Sequence, residues 1–143
     1  MSGSAGNSKP ETQNYIEVSA ALIFRKGKVL IARRPADSHL GGLWEFPGGK
    51  REPGETFEQC LARELREELG VVVKVAGMFE EITHAYVDKT VHLKFFLCEL
   101  AEGNPQPLGC AAVVWVGKPE LADYDFPAAD ARLLERLRAY NFP

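Results

Sequence analysis

No stretch of this 143-residue sequence approaches the roughly 18 consecutive apolar residues that a membrane-spanning helix needs. It also has no repeat with a period of about 20 to 50 residues, which argues against a solenoid or a propeller. Residues 1–14 carry hardly any apolar side chain, so they lack the apolar core of an export signal. We therefore predict a cytoplasmic protein without a membrane partner, with a disordered tail over residues 1–14 and one soluble domain over residues 15–143.

Cysteine is scarce, and there is no excess of basic charge. Cys60, Cys98 and Cys110 form no C-x-x-C pair and have no histidine at zinc-finger spacing, so neither a disulfide framework nor a zinc site is indicated. The three histidines share no helix at an i, i+4 spacing, so we expect no histidine metal site. The formal net charge of −3 argues against a nucleic-acid polymer as partner, but free nucleotides remain possible partners.

Two helical patterns stand among several strand-like runs. We predict a helix over residues 57–69 and an amphipathic helix over residues 128–140. Helices separated in sequence can cover both faces of a sheet, so the order of elements indicates an α/β fold with a mixed sheet between helices. The runs with strand composition are residues 16–24, 28–32, 71–76, 78–85, 90–100 and 111–116, the first two joined by a hairpin turn at residues 25–27.

The stretch GGKREPGETFEQCLARELREELGV, residues 48–71, contains the most informative pattern in the chain. Thr56 is placed as the N-cap of a helix, with Gln59 as its capping-box partner. Gly70 follows the last helical residue and is placed as a C-terminal cap. This spacing fixes the helix over residues 57–69, and with it the direction of each acidic side chain.

Three acidic residues, Glu64, Glu67 and Glu68, fall within one sector of that helix at about 100° per residue. Such a face is often merely solvated, and like charges at this spacing cost a few tenths of a kcal/mol per pair. Carboxylates are also the ligands of hard cations such as Mg²⁺, which are often completed by substrate phosphates. The preceding Gly48-Gly49 pair allows close backbone approach and Lys50 adds a cation, so we predict half of a metal site.

Three further features lie close to the acidic residues in sequence. Arg63 is placed to pair with Glu55 and so to brace the loop against the helix. Arg33 and Arg34 precede the stretch, where each could equally be a solvated surface cation or a phosphate ligand. Trp44 is expected in the core, with a stacking role as the alternative.

The spacing of these residues resembles the Nudix box, G-x5-E-x7-R-E-U-x-E-E-x-G-U with U apolar, and every specified position is filled. Outside the box, the segments RRPADSH, WEFPGGK and DFPAAD look like the MutT branch of the Nudix superfamily. The resemblance extends over about residues 18–137. The matching box positions are Gly49, Glu55, Arg63, Glu64, Leu65, Glu67, Glu68, Gly70 and Val71.

The resemblance implies an α/β/α sandwich with a central mixed β-sheet. It implies Mg²⁺- or Mn²⁺-dependent hydrolysis of a nucleoside triphosphate to monophosphate and pyrophosphate, usually to remove damaged nucleotides such as 8-oxo-dGTP, a function allied to DNA repair. The alternatives are a pyrophosphohydrolase of CTP or 5-methyl-dCTP and a non-catalytic Nudix module. A monomer and a homodimer both fit the resemblance.

The resemblance also implies roles for individual residues. The metal ligands are the carbonyl of Gly48 and the carboxylates of Glu64, Glu67 and Glu68. The catalytic residues are Glu64, Glu67, Lys50 and Arg63. The substrate-binding residues are Arg34, His39, Phe46, Asp88, Lys89 and Asp130. Of these, Arg34 contacts the phosphates together with Lys50.

Two positions depart from the best-known MutT proteins. Gly109 stands where they carry an additional glutamate, so the attacking water is expected to be activated by a box carboxylate, with Glu80, Glu81 and His84 as weaker candidates. Asp130 stands where they carry an asparagine. An ionised aspartate only accepts hydrogen bonds and favours a cytosine-type base, whereas a protonated one can donate to guanine.

Overall fold

The structure, a computed structural model, describes residues 15–143 and consists of a sheet between two helices. The tail predicted for residues 1–14 lies outside the described residues. The strands are β1 (Tyr15–Arg25), β2 (Lys28–Arg33), β3 (Trp44–Glu45), β4 (Gly48–Lys50), β5 (Val72–Ala85), β6 (Thr90–Glu102) and β7 (Ala112–Gly117). The α-helices are α1 (Phe57–Leu69) and α2 (Ala131–Arg138), and 3₁₀ turns cover Lys118–Asp123 and Ala128–Asp130.

The sheet has seven strands and is mixed. Its main path is β3-β2-β1-β6-β5, with β4 paired to β1 and β7 paired to β2. The central pair β1–β6 is parallel, and the other pairs are antiparallel. The predicted α/β/α sandwich around a mixed sheet is therefore confirmed.

Each face of the sheet packs against one helix because buried side chains alternate along β1. On one face, Ala21 and Ile23 pack with the leucines of α1. On the other face, Ala20 and Leu22 pack with Leu133 and Leu137 of α2 and its surroundings. Complete burial of one such leucine side chain stabilises the fold by about 1.5 to 3 kcal/mol. This double packing fixes both helices relative to β1, which runs beneath the site.

Both ends of α1 form as the sequence predicts. The side chain of Thr56 accepts from the Gln59 N–H at 3.0 Å, and the Gln59 side chain accepts from the Thr56 N–H at 2.9 Å. Gly70 ends the helix in the left-handed region at φ 70°. Within residues 15–143, neither helix has the length and apolar character needed to cross a membrane.

Several elements differ from the sequence-based prediction. One continuous strand, β5, replaces the two predicted over residues 71–76 and 78–85, because bulges near Gly77 absorb the break in pattern. The second helix begins as a 3₁₀ turn, so its α-helical part covers only Ala131–Arg138 of the predicted residues 128–140. The strand Gly48–Lys50 was not predicted, because a glycine pair has low strand propensity.

Candidate active site

The two glycines of β4 bring its backbone against both β1 and α1. A Cβ atom added at Gly48 would lie 1.9 Å from the carbonyl oxygen of Ser19 in β1. A Cβ atom at Gly49 would lie 2.2 Å from Cδ of Glu64. Any side chain at either position would collide, so the glycine pair allows the Glu64 carboxylate to lie directly over the strand.

Arg63 lies at the centre of the charged network on α1. Its Nε donates to Oε2 of Glu55 at 2.6 Å, and its Nη2 donates to Oε1 of Glu55 at 3.0 Å and to the Lys50 carbonyl at 3.0 Å. The predicted brace between Arg63 and Glu55 is therefore confirmed. Hydrogen bonds from Arg63 lower the pKa of Glu55 to about 2. The same guanidinium reaches Glu64 at 2.9 Å and Glu67 at 3.3 Å.

Among the carboxylates of α1, Glu68 has the most strongly raised pKa. Burial raises its pKa to about 8, and the negative charges of Glu45 and Glu64 act in the same direction. Its Oε1 is buried and has no hydrogen-bond partner among residues 15–143. A buried carboxylate oxygen without a partner is costly, so this atom is suited to accept a cation.

The carboxylates of α1 fit a divalent cation by chemistry but are not assembled around one. Within residues 15–143, no three His, Cys, Asp or Glu side chains are grouped closely enough to hold a metal ion as they stand. Arg63 pairs with both Glu64 and Glu67. The Glu67 side chain is 62% exposed and can turn away from that pairing. Glutamate oxygens, including the unpartnered one of Glu68, are the donor type that Mg²⁺ and Mn²⁺ take.

A pocket of about 150 Å³ opens beside Gly48 and Lys50. Its floor is apolar and comes from the central strands, with Ile16, Val18 and Ala20 of β1 and Val91, Leu93 and Phe95 of β6. Asp88 is exposed in the turn between β5 and β6 and does not line the pocket, so its role at the base stays a prediction. The predicted site residues that do line the pocket are Arg34, His39, Phe46, Gly48, Lys50, Lys89 and Asp130.

Three cations converge on this pocket, which makes it suited to an anionic ligand. Burial lowers the pKa of Lys89, and the positive charges of Lys50 and Arg34 lower it further. Arg34 is held in place by Glu45, whose Oε1 accepts from Nη1 at 3.0 Å. The Nε of Arg34 also donates to the His39 carbonyl at 2.6 Å. Arg34 therefore has a fixed orientation, as recognition of a phosphate by guanidinium requires.

Asp130 and Phe46 line the inner part of the pocket. Asp130 is only 4% exposed, and its burial, with the charge of Glu45, raises its pKa to about 7. Phe46 is 3% exposed, and its ring stacks on that of Phe126 with centroids 5.2 Å apart. With one face covered in this way, Phe46 supports the pocket wall, whereas Asp130 supplies a polar group to it.

Sequence reasoning missed two residues of this pocket. Glu45 is the acid that orients Arg34, and its position next to the glycine-rich segment was the available signal. The hydroxyl of Tyr86 accepts from the Ala129 N–H at 3.4 Å, and its ring meets that of His39 edge-on at 6.5 Å. Tyr86 thus joins three separate segments of the pocket wall. Nothing in the local pattern around Tyr86 indicated this role.

The weaker candidates for a general base do not line the pocket, although the ring of His84 has its centroid 4.6 Å from that of Tyr86 in the pocket wall. Glu80 pairs with Arg132 and Arg136 of α2, and Glu81 lies 2.5 Å from Nε2 of His92. Gly109, by contrast, lies against α1 at Glu68. Its N–H donates to the Glu68 carbonyl at 3.0 Å, and an added Cβ would lie 3.1 Å from Cγ of Glu68.

Comparison with known families gives one match across most of the chain. Residues 19–136 match the model of a family described as the NUDIX domain. These residues include the charged network of α1 and all of the pocket lining except Ile16 and Val18.

Individual proteins also resemble the chain. It is 42% identical over 124 residues to a CTP pyrophosphohydrolase from Escherichia coli K12, covering 87% of this chain and 92% of the relative. It is 37% identical over 124 residues to an 8-oxo-dGTP diphosphatase from the same organism, covering 86% and 96%. A crystal structure of a MutT protein from Methanosarcina mazei Go1 superposes with a TM-score of 0.78 at 26% identity, covering 87% and 94%.

Proposed function

The chain belongs to the Nudix family, in its MutT-like branch, as a nucleoside triphosphate pyrophosphohydrolase, and we propose that it removes modified nucleotides of the 8-oxo-dGTP type. The observation that carries the choice of base is the buried Asp130 in the pocket. With all box glutamates present, the non-catalytic alternative is not retained.

The residues that would hold divalent metal are Glu64, Glu67 and Glu68 with the carbonyl of Gly48. The unpartnered oxygen of Glu68 and the oxygen-only donor set support this assignment. A bound Mg²⁺ supplies charge neutralisation and a lowered pKa for water. The carboxylates of Glu64 and Glu67 orient the attacking water and accept its proton, because Gly109 has no side chain to do so.

The cations of the pocket rim bind the triphosphate. Glu45 already orients Arg34, so its guanidinium loses little further side-chain freedom when the triphosphate binds. Lys50 adds a point charge beside Gly49, at the junction between pocket and acidic helix. Together they place the scissile anhydride next to Glu64. Arg63 acts through its partners, because it holds Glu55, the Lys50 carbonyl and Glu64 in register.

The base enters the apolar pocket and meets Asp130. A pKa raised to about 7 leaves Asp130 largely neutral in slightly acidic solution, where its O–H donates a hydrogen bond to a guanine-type oxygen. The apolar floor formed by β1 and β6 then covers one face of the ring. This arrangement favours an oxidised purine such as 8-oxo-guanine.

A cytosine-type substrate is the second candidate. The 42% identical relative is a CTP pyrophosphohydrolase, and an ionised Asp130 accepts from the exocyclic amine of cytosine. The two candidates therefore differ in the protonation state that they require of Asp130.

The test is kcat/KM for 8-oxo-dGTP, dGTP, CTP and 5-methyl-dCTP, measured with the native protein and Asp130→Asn at about pH 6 and about pH 8. The native protein should prefer the oxidised purine most strongly at the lower pH. The asparagine variant should keep that preference at both values. A native preference for the cytosine nucleotides at both pH values would select the second candidate. If the ranking changed between the two pH values in the variant as it does in the native protein, Asp130 would not be the residue that reads the base.

A further inference from the structure

Leu40 has a backbone conformation that leucine rarely adopts. Its φ is 56°, in the left-handed region that favours glycine and asparagine. Within residues 15–143, Lys26 is the other non-glycine residue with positive φ, at 52°, in the turn between β1 and β2. A tight hairpin turn requires that conformation at Lys26. Leu40 lies instead in the longer loop between β2 and β3, where no tight two-residue turn requires that conformation.

The loop around Leu40 is held from several sides. The Leu43 N–H donates to the Leu40 carbonyl at 3.3 Å, and the Gly42 N–H donates to the Arg34 carbonyl at 3.1 Å. A Cβ added at Gly41 would lie 2.3 Å from the Ala36 carbonyl oxygen, so the chain folds back on itself there. These contacts hold Leu40 in the unfavourable conformation, and the same turn brings it into the lining of the substrate pocket.

We propose that Leu40 is a substrate-binding residue whose side chain forms an apolar wall against the base, and that the strained backbone serves to hold it there. The proposal rests on the proposed function of the pocket as the nucleotide site. Leu40 lines that pocket together with Arg34, His39 and Asp130, the last of which lies in the 3₁₀ turn before α2. The faces of the base ring offer apolar area but few hydrogen-bonding groups. An apolar residue among polar neighbours therefore contributes by covering one of these faces.

The chain supplies matched variants for a test. Leu40→Gly removes both the side chain and the strain, and Leu40→Asn keeps a side chain of similar size that tolerates positive φ. Lys26→Gly relieves the equivalent strain in a turn outside the pocket lining and serves as control. The measurements are the melting temperature and the equilibrium binding of dGMP and of inorganic pyrophosphate in the presence of Mg²⁺.

Both Leu40 variants should bind dGMP about tenfold more weakly, as expected for loss of part of a buried leucine contact. Their pyrophosphate binding should stay within about twofold of the native value, because the phosphates meet other residues. Their melting temperatures should equal or exceed the native one. Lys26→Gly should leave both ligands unaffected.

The proposal is overturned by native dGMP affinity in both variants, or by an equal loss of pyrophosphate affinity, which would make the loop a support for Arg34. A clear fall of the melting temperature in both variants would overturn the role of strain. Because binding is measured without turnover, these outcomes are independent of whether the protein hydrolyses a given triphosphate. Absence of hydrolysis by the native protein would count against the proposed function alone.

Discussion

Arg63 holds the carboxylate of Glu55 at two points, with Nε 2.6 Å from Oε2 and Nη2 3.0 Å from Oε1. Two-point pairs of this kind fix direction as well as distance. Because the same guanidinium also binds the Lys50 carbonyl and Glu64, one side chain aligns the loop, the strand and the helix of the site.

The first prediction concerns this alignment. Arg63→Ala should lower kcat/KM by about 10- to 100-fold, the usual cost of losing a residue that orients metal ligands. It should also lower the melting temperature, because Glu55 loses its partner. Arg66→Ala, an exposed arginine on the same helix, is the control and should change neither quantity. Native activity together with a native melting temperature in Arg63→Ala would contradict the bracing role.

The second prediction separates acids on different sides of α1. Glu67→Gln keeps the shape of the side chain but removes its charge, so kcat should fall by at least about 100-fold while the fold survives. Glu58→Gln changes an exposed acid in the first turn of the same helix and should have no effect. A loss of less than about tenfold in Glu67→Gln would mean that the metal is held elsewhere.

The third prediction concerns the proton acceptor. Glu81 is paired with His92 and lies outside the pocket lining, so Glu81→Gln should leave the acidic limb of the pH–rate profile unchanged. Glu64→Gln should remove or displace that limb. Loss of the acidic limb in Glu81→Gln, with its persistence in the box variants, would assign the proton transfer to Glu81.

The fourth prediction follows from the buried Asp130. Its pKa is about 7 in the folded protein against an ordinary value of 3.8, so between these values the folded state binds a proton that the unfolded state lacks. This group's contribution to the free energy of unfolding therefore declines as pH rises from about 4 to about 7 and then levels. Asp130→Asn cannot ionise and should escape this decline.

The measurement is the melting temperature of both proteins across that range. The melting temperature of the variant, relative to that of the native protein, should rise with pH up to about pH 7 and stay constant above it. Asp123→Asn, at an exposed position, should follow the native curve. Parallel curves for the native protein and Asp130→Asn would mean that burial does not raise the pKa of the Asp130 carboxyl.

The sequence predicted those parts of the fold that depend on local signals. The limits of α1 follow from Thr56, Gln59 and Gly70, whose hydrogen bonds and φ requirement act within a few residues. The bulged strand β5 and the short strand Gly48–Lys50 could not be predicted in this way. Their pairing is decided by β6 and β1, which lie far away in sequence.

The sequence predicted the candidate site only where its residues belong to a motif. The acids of α1 and the brace between Arg63 and Glu55 follow from spacing along one helix. Glu45 and Tyr86 act through partners that the fold brings in from other segments. The pairing of Arg63 with Glu64 and Glu67 was also not predicted, because it depends on side-chain conformation within the network.

The central claim is that the α1 carboxylates, with a divalent cation, cleave a nucleoside triphosphate into monophosphate and pyrophosphate. The direct test is chromatography of the products from 8-oxo-dGTP, dGTP, CTP and 5-methyl-dCTP with the native protein and Glu67→Gln, each with Mg²⁺ or with a chelator. We predict monophosphate and pyrophosphate from the native protein with Mg²⁺ only, and a rate at least about 100-fold lower in the variant. Nucleoside diphosphate and inorganic phosphate as products, undiminished turnover with the chelator, or no turnover with any nucleotide tested would contradict it.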